Sequence, residues 1–395
     1  MLLNKIKELI EEQKEDLTAI RHHLHANPEL SFEEYETSKF VQEKLSEWGI
    51  AFSAGVAGTG VVGIIEGKNH KKKVVALRGD MDALPIQETN EVPYKSTKEG
   101  IMHACGHDVH TSSLLGAARV LNHFKDEWEG TVKLVFQPGE ERIPGGASLM
   151  IKEGVLENPE PVRMVGQHVM PFIEAGKVGF REGMYMASAD EIYVTVKGKG
   201  GHGAMPERNI DPVMIAAQML VTLQQVVSRY ANPKIPSVLS FGKIIANGAT
   251  NVIPNEVKLD GTFRTMNEEW RAEAHKRMKE IAEGLAKSMG GECDFDIRRG
   301  YPFLENDSQT TQIARQAAEE YLGEENVVDL DLWMAAEDFS YYSHEVPSCF
   351  YRLGTGNEAK GITNSVHTPN FDIDESALPI GAGLLAWIAL KQLEN

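Results

Sequence analysis

Residues 132–141 read Val-Lys-Leu-Val-Phe-Gln-Pro-Gly-Glu-Glu, a nearly continuous apolar run that ends in a turn and two carboxylates. A short run of this kind is typical of a strand that is covered on both faces of a parallel sheet. Residues 74–77, Val-Val-Ala-Leu, form a second such run. Between the two runs, residues 107–124 carry apolar side chains at helical spacing. This alternation of strand and helix predicts the α/β fold class.

Residues 190–299 follow a different pattern. Ile192, Val194 and Val196 alternate with polar neighbours, as the side chains of a half-buried strand do. Three more strand segments, two of them alternating, and two helical segments follow, in the order βαββαβ, which predicts a split βαβ (ferredoxin-like) domain. Helix and strand patterns of the first kind resume after Asp307. The first and third segments are therefore expected to form one domain, which the second interrupts.

Composition limits the class of partner and the cell compartment. The chain has 395 residues, more than one hydrophobic core usually serves, so two domains are expected. Its formal net charge of −18 argues against nucleic acid and anionic membrane surfaces as partners. The three cysteines, Cys105, Cys293 and Cys349, are too few for a disulfide framework and fit a reducing compartment. No targeting segment is visible, so a cytoplasmic location is expected.

Metal-ligating residue types are scattered along the chain. Cys105 and His107 lie two residues apart at the start of a predicted helix, and Glu140-Glu141 follows the buried run and its Pro-Gly turn. The carboxyl ends of strands form the edge at which open α/β sheets bind ligands. His168 follows another apolar run, and His367 lies near the C-terminus. Soft and hard ligands on many elements predict a catalytic metal site, because structural zinc sites use clustered ligands.

Each of these residues also has a plainer interpretation. Cys105 and His107 could each be core residues, and Glu140-Glu141 could be a solvated pair. An isolated histidine is more often structural or exposed than a ligand. We assign that role to the nine histidines that lack metal-ligand spacing, which are His22, His23, His25, His70, His103, His110, His123, His275 and His344.

Two further segments each allow two interpretations. Residues 78–82, Arg-Gly-Asp-Met-Asp, follow a buried strand, so that Asp82 is either a surface acid in a turn or a carboxylate that orients a ligand imidazole. Residues 198–203 match the dinucleotide-binding glycine pattern, but Pro206 separates them from the next helix, and this argues against a nucleotide. A loop that presents His202 to a ligand is the better interpretation, and a mobile loop is the alternative. Ser31 and Glu34 form a possible capping box for the helix that follows them.

Taken together, the motifs resemble the metal-dependent aminoacylase/carboxypeptidase superfamily, and in particular its branch of hippurate hydrolases, N-acyl-amino-acid amidohydrolases and plant auxin-conjugate hydrolases. The resemblance runs nearly from end to end, in the expected order. It rests on residues 21–30, 103–108, 137–141, 200–206, 250–254, 336–339 and 367–371.

The resemblance implies a zinc-aminopeptidase-like catalytic domain (residues 1–186 and 302–395) interrupted by a lid and dimerisation domain (residues 187–301). It implies two metal ions per chain and a homodimer that forms through the lid. The mixed thiolate, imidazole and carboxylate ligands favour divalent zinc or manganese first and cobalt or nickel next. Other branches carry His-x-Asp where this chain has Asp80-Met81-Asp82. The implied roles are metal ligation for Cys105, His107, Glu141, His168 and His367, and proton transfer for Glu140. General chemistry adds His202 as a group that can stabilise an oxyanion and Asp82 as the carboxylate that supports catalysis by orienting a ligand.

The implied reaction is hydrolysis of the amide bond of N-acyl-L-amino acids. An acidic protein needs specific donors to hold a substrate carboxylate, and Asn251 and Arg264 are the candidates. Arg264 could instead be a surface charge on a half-buried sheet. Two other functions stay open, which are a dipeptidase or carboxypeptidase that uses the same site, and a non-enzymatic protein with a relic site. Loss of Glu140 or of ligands would favour the relic, and all are present.

Overall fold

The computed structural model describes all 395 residues. Its strands, numbered in chain order, are β1 Ala51–Val56, β2 Gly60–Glu66, β3 Val74–Asp80, β4 Thr131–Gln137, β5 Arg163–Glu174, β6 Val178–Phe180, β7 Gly183–Met186, β8 Asp190–Lys197, β9 Gly201–His202, β10 Ser237–Ile245, β11 Val252–Ile253, β12 Glu256–Thr265, β13 Glu292–Arg299, β14 Leu304–Asn306, β15 Val327–Asp329 and β16 Ser348–Gly356.

The α-helices are α1 Leu2–Glu12, α2 Lys14–Ala26, α3 Tyr35–Glu47, α4 His107–His123, α5 Gly146–Lys152, α6 Pro212–Gln225, α7 Glu268–Ser288, α8 Ser308–Leu322, α9 Ser340–Glu345 and α10 Ala377–Glu394. Short 3₁₀ segments occur at Lys125–Glu127, Pro206–Arg208, Glu324–Asn326 and Glu358–Lys360, and a π-helical turn at Val226–Tyr230. None of the helices combines the length and the apolar character that crossing a membrane requires.

The chain folds into two compact units, each of which has most of its residue contacts within itself. The larger unit comprises residues 1–185, 305–331 and 338–395. It contains an eight-stranded mixed sheet in the order β1-β2-β4-β3-β5-β16-β6-β15. The two apolar runs of the sequence analysis are β3 and β4, which are parallel neighbours with Asp80 opposite Gln137. The predicted α/β class is confirmed, and the parallel pairing brings the residues that follow both strands to one edge of the sheet.

Helices α4 and α10 pack against each other and belong to the core of this unit. Nearly every residue of α10 is buried, from Ala377 to Leu393, because its sequence is apolar all round. Helix α4 is equally buried from His107 to Ala118. The polar groups at its first turn are therefore enclosed by protein and must find partners there.

The smaller unit comprises residues 186–304 and 332–337. Its four-stranded antiparallel sheet has the order β10-β12-β8-β13, and α6 and α7 belong to a separate core with the sheet's inward side chains. The predicted βαββαβ order is present, and the strand order is that of a ferredoxin-like domain. The assignment of residues 187–301 as a lid and dimerisation domain stays a prediction.

The predicted capping box of α3 is wrong. The helix begins at Tyr35 with Glu34 at the cap position, and the Glu34 side chain does not cap it. The amides of Glu36 and Thr37 in its first turn are bound by the carboxylate of Glu29. The Ser31 hydroxyl instead donates to Oδ2 of Asp82 at 2.6 Å, and the Glu34 carboxylate accepts two backbone N–H groups elsewhere. A charged acceptor and buried amides are stronger partners than the exposed end of a helix.

Candidate metal centre

Two glycines shape the segments that carry the predicted ligands. Gly139 has φ +59°, and a Cβ there would overlap the ring of Phe32. The residue therefore allows the chain to turn sharply after β4, before Glu140. Gly106 has φ +80°, and a Cβ there would lie 2.5 Å from Val169. It allows Cys105 and His107 to lie on either side of a tight turn at the start of α4.

The five predicted ligands converge although they are far apart in the chain. The Sγ atom of Cys105 lies 3.4 Å from Nε2 of His168 and 3.3 Å from Nε2 of His367. Oε1 of Glu141 lies 3.1 Å from Nε2 of His367 and 4.0 Å from Nε2 of His107. Two triads with ligand atoms within 4.8 Å of one another result, Cys105-His107-His168 and Cys105-Glu141-His367. Cys105 belongs to both.

The donor atoms of this cluster suit a divalent cation. His107 directs Nδ1 to Oδ1 of Asp82 at 3.2 Å, and His168 directs Nδ1 to the carbonyl of Val169 at 2.8 Å. Each imidazole therefore keeps its Nε2 lone pair for the centre. Nε2 of His107 is buried and has no hydrogen-bond partner. A buried polar atom left unsatisfied costs about 1–3 kcal/mol, and a bound cation removes that cost.

The electrostatics of the cluster also favour positive charge. Burial would lower the pKa of His107, but Asp80, Asp82 and Glu141 outweigh it and raise that pKa to about 10. Burial and the carboxylates of Glu141 and Glu140 raise the pKa of the Cys105 thiol well above its usual range. A divalent cation reverses this effect, because it stabilises the thiolate directly.

Asp82 is buried and binds four partners near the predicted ligands. Besides the His107 ring it accepts the backbone N–H of Glu140 at 3.1 Å and that of Glu141 at 3.0 Å, and the hydroxyl of Ser31. This excludes the surface-acid interpretation of Asp82 and agrees with the alternative, a carboxylate that orients a ligand imidazole. The side chain of Glu140 is also held, because the backbone N–H of Asp338 lies 3.4 Å from its Oε1.

Comparison with known proteins identifies the chain. Residues 76–391 match the model of peptidase family M20/M25/M40. The chain belongs to this family. The resemblance inferred from the motifs is thereby confirmed, and the chain is a hydrolytic enzyme that acts on amide bonds.

Three proteins illustrate what this M20 enzyme is similar to. It is 42% identical to the N-acyl-L-amino acid amidohydrolase of Geobacillus stearothermophilus, over 76% of this chain and 80% of that protein. It is 40% identical to the IAA-amino acid hydrolase ILR1-like 4 of Arabidopsis thaliana, over 95% and 86%. The crystal structure of a dinuclear metal-binding M20 peptidase from Bacillus subtilis shares its fold with a TM-score of 0.84, at 35% identity over 97% and 99% of the chains. These matches and the ligand triads support divalent metal ions as cofactors of the enzyme. That the five converging residues hold them stays a prediction.

Two residues outside the predicted set, His110 and Asp80, lie beside His107 in this M20 enzyme. His110, predicted to be structural or exposed, is buried and joins Asp80 through Nδ1, while its Nε2 accepts the backbone N–H of Val169 at 2.9 Å. Asp80 also pairs with Arg78, and its Oδ2 lies 3.6 Å from Nε2 of His107. The spacing of His107 and His110, three residues apart on a helix, was the available signal, since such residues share a face.

The buried start of α4 has a second support. Arg21 and His25 of α2 both contact Oδ2 of Asp108, each at 2.8 Å, and His25 also lies 3.2 Å from Glu88. These side chains are buried and hold the first turn of the helix next to His107. His25 therefore has the structural role that was predicted for it, which is to bind Asp108 at the start of α4.

The remaining predicted residues lie in the smaller unit. His202 on β9 is opposite Val252 on β11, and the backbone N–H of Gly203 donates to the carbonyl of Asn251 at 2.8 Å, so that His202 and Asn251 are neighbours. Nδ1 of His202 accepts the N–H of Ala204 at 3.1 Å, which leaves the proton on the exposed Nε2. Arg264 lies on β12, half-buried, and donates to the carbonyl of Met334 at 3.1 Å.

Proposed function

We propose that this M20 enzyme hydrolyses the amide bond of N-acyl-L-amino acids with two divalent ions that Cys105, His107, Glu141, His168 and His367 hold. The observation that carries the proposal is the position of Cys105 in both ligand triads, because a thiolate there can bridge two ions. The names of the Geobacillus and Arabidopsis relatives support an acylated amino acid as substrate. Zinc and manganese are the metals we expect first, given the mixed thiolate, imidazole and carboxylate ligands.

Glu140 is the proton carrier in this proposal. Bound metal ions would polarise the amide carbonyl and lower the pKa of a water molecule. Glu140 takes a proton from the attacking water and returns it to the leaving amine. Its position supports this role, because its backbone N–H binds Asp82 and its carboxylate is held by the N–H of Asp338. Glu141, the next residue, is left to hold metal.

His202 stabilises the developing oxyanion in this proposal. The local hydrogen bond from Ala204 keeps Nε2 protonated, so that a neutral imidazole can donate to the substrate oxygen. We propose that a second copy of the chain supplies this residue in a homodimer. Two features of the smaller unit support such an interface. Helix α6 contains no charged residue and exposes Val213, Met214 and Val221, and β10 is an edge strand of the sheet.

Asn251 and Arg264 bind the substrate's α-carboxylate in this proposal, and the amide bond faces the metal centre. Because β9 and β11 pair, His202 and Asn251 lie close enough together to contact two ends of a small substrate. An arginine can hold a carboxylate with two parallel hydrogen bonds. We also propose a cytoplasmic location, since Cys105, Cys293 and Cys349 are all free thiols.

The test combines metal content with a substrate panel. Purified wild type should contain about two divalent ions per chain. After reconstitution in zinc, manganese, cobalt or nickel it should cleave N-acetyl-methionine or hippurate faster than dipeptides. Cys105→Ala should lose metal, whereas Cys349→Ala, which removes a buried thiol outside both triads, should not. Unchanged metal in Cys105→Ala, or cleavage of dipeptides alone, would refute the corresponding part of the proposal, and the second result would favour a dipeptidase.

A further inference from the structure

The connection between α2 and α3 lies against the turn that carries the two catalytic-centre carboxylates. We call residues 31–34 the 31–34 loop and residues 138–141 the 138–141 turn. We propose that Glu34 is a positioning residue, which holds the 138–141 turn so that Glu140 and Glu141 face the metal centre. The inference rests on the proposed roles of those two carboxylates.

Glu34 binds the turn directly. Its Oε1 accepts the backbone N–H of Gly139 at 2.8 Å and that of Phe32 at 2.8 Å. Its Oε2 accepts the hydroxyl proton of Thr59 at 2.6 Å. The side chain is completely buried. One carboxylate oxygen thus links the 31–34 loop to the residue that immediately precedes Glu140.

The neighbouring amides of the turn are held in the same way. Asp82 accepts the N–H groups of Glu140 and Glu141, and Ser31 of the 31–34 loop donates to Asp82. Three consecutive amides are therefore bound by two carboxylates, Glu34 and Asp82. Peptide units are planar, so holding these three restrains the backbone dihedrals of Gly139 and Glu140. This sets the direction in which the Glu140 side chain leaves the chain and the position at which Glu141 begins.

Phe32 completes the contact. It has φ +68°, a left-handed conformation that is uncommon for a phenylalanine, and its ring fills the space that a Cβ of Gly139 would occupy. The 31–34 loop therefore holds the turn by both hydrogen bonds and packing. Strained backbone of this kind persists where the surrounding structure requires it, and it is concentrated near functional sites.

A charged glutamate at position 34 does not favour the stability of the fold by itself, because its surroundings disfavour the ionised carboxylate. Burial and the nearby charge of Asp82 raise the pKa of Glu34 to about 7, although Thr59 and backbone amides donate to it. Two neighbouring carboxylates are thus kept in an enclosed site. Glutamine at position 34 would keep an acceptor for Gly139 and could donate its amide to the Thr59 oxygen, without the charge.

The test compares Glu34→Ala and Glu34→Gln with Glu29→Ala as the matched control. Glu29 precedes the same loop and also accepts two backbone amides, but those belong to Glu36 and Thr37 at the start of α3. Glu34→Ala should lower cobalt(II) affinity and kcat by about 10- to 100-fold each, the range for partners that orient metal ligands. Its KM should change little. Glu34→Gln should stay close to wild type in both quantities, and Glu29→Ala should lower only the melting temperature.

Cobalt titration, followed by the visible absorption of the bound ion, keeps this inference separate from the proposed substrate. Weaker cobalt binding in Glu34→Ala alone supports the inference even if no N-acyl amino acid is cleaved. Wild-type cobalt affinity in Glu34→Ala, or equal losses in Glu34→Ala and Glu29→Ala, would overturn it. If Glu34→Ala does not fold, Glu34→Asp tests the same contact, because the shorter side chain draws the acceptor oxygen away from the Gly139 amide. It should weaken cobalt binding several-fold, and wild-type binding in that variant would overturn the inference.

Discussion

His107 directs its ring Nδ1 to Oδ1 of Asp82 at 3.2 Å, and the two residues are 25 positions apart in the chain. Asp82 also accepts the amides of Glu140 and Glu141. One carboxylate therefore orients a predicted ligand on α4 and the two acids beyond β4. Any change at Asp82 should disturb the three residues together.

Asp82→Asn should weaken divalent metal binding by about 10- to 100-fold, the usual effect of losing a partner that orients a ligand. Both oxygens of Asp82 accept hydrogen bonds. An asparagine has only one acceptor oxygen, and its NH₂ group would face N–H or O–H donors that it cannot bind. Calorimetric titration of the metal-depleted enzyme measures the change. Asp374→Asn is the control, because Asp374 is also buried and accepts the backbone N–H of Ser376, but belongs to no ligand triad. Equal affinity in wild type and Asp82→Asn would contradict the orienting role.

Glu140→Gln should keep its metal and lose at least about 100-fold in kcat, the scale of general acid–base catalysis. Glutamine preserves the shape of the side chain but cannot take up the proton. Glu141→Gln should instead reduce the metal content, since it replaces a charged ligand by a neutral one. Elemental analysis and steady-state kinetics on the same preparations separate the two effects. Full activity of the Glu140→Gln enzyme would show that the roles of the two carboxylates are assigned wrongly.

His202→Ala and Glu140→Gln chains, each inactive alone, should regain part of the activity when they are mixed. In a heterodimer one site can combine an intact Glu140 from one chain with an intact His202 from its partner. Subunit exchange is followed independently with differently tagged chains. Mixed dimers that form without any recovery of activity would exclude action of His202 across the dimer.

Hydrolysis of N-acetyl-methionine should exceed that of its C-terminal amide by on the order of 10-fold or more in kcat/KM. Charge-assisted hydrogen bonds contribute roughly 1.5–3 kcal/mol, and the amide loses them. Arg264→Ala and Asn251→Ala should reduce this preference. Arg298→Ala, which removes an exposed arginine from the same sheet, should leave it unchanged. Equal rates on acid and amide in the wild type would exclude a carboxylate clamp.

Much of the architecture followed from local patterns in the sequence. The continuous apolar runs of β3 and β4 predicted buried strands, and the alternation between residues 190 and 299 predicted the βαββαβ order. Both patterns indicate which faces of a strand or helix are buried. The face on which a side chain lies is set by its position relative to its neighbours in the chain, so it can be read from the local sequence. The ligand candidates Cys105 and Glu141 could be proposed for a similar reason, since their motifs are short and follow predicted elements.

Local patterns failed where a side chain had both near and distant partners. Ser31 and Glu34 match a helix cap in sequence, but their side chains bind Asp82 and Gly139 in the fold. His110 has no motif of its own, and its role depends on Asp80, thirty residues away. The sequence does not state which distant partner will be near, and a buried charged acceptor outweighs a cap exposed to water.

The sequence by itself determined the residue types of the metal centre, the buried strands that precede several of them, and the two kinds of secondary-structure pattern. Only the tertiary structure decided that Cys105 meets His168 and His367, which are 63 and 262 residues away. That meeting depends on the order of the strands in the sheet, β3 between β4 and β5 and β16 beside β5. Strand order arises from packing the whole core, and so no local pattern encodes it.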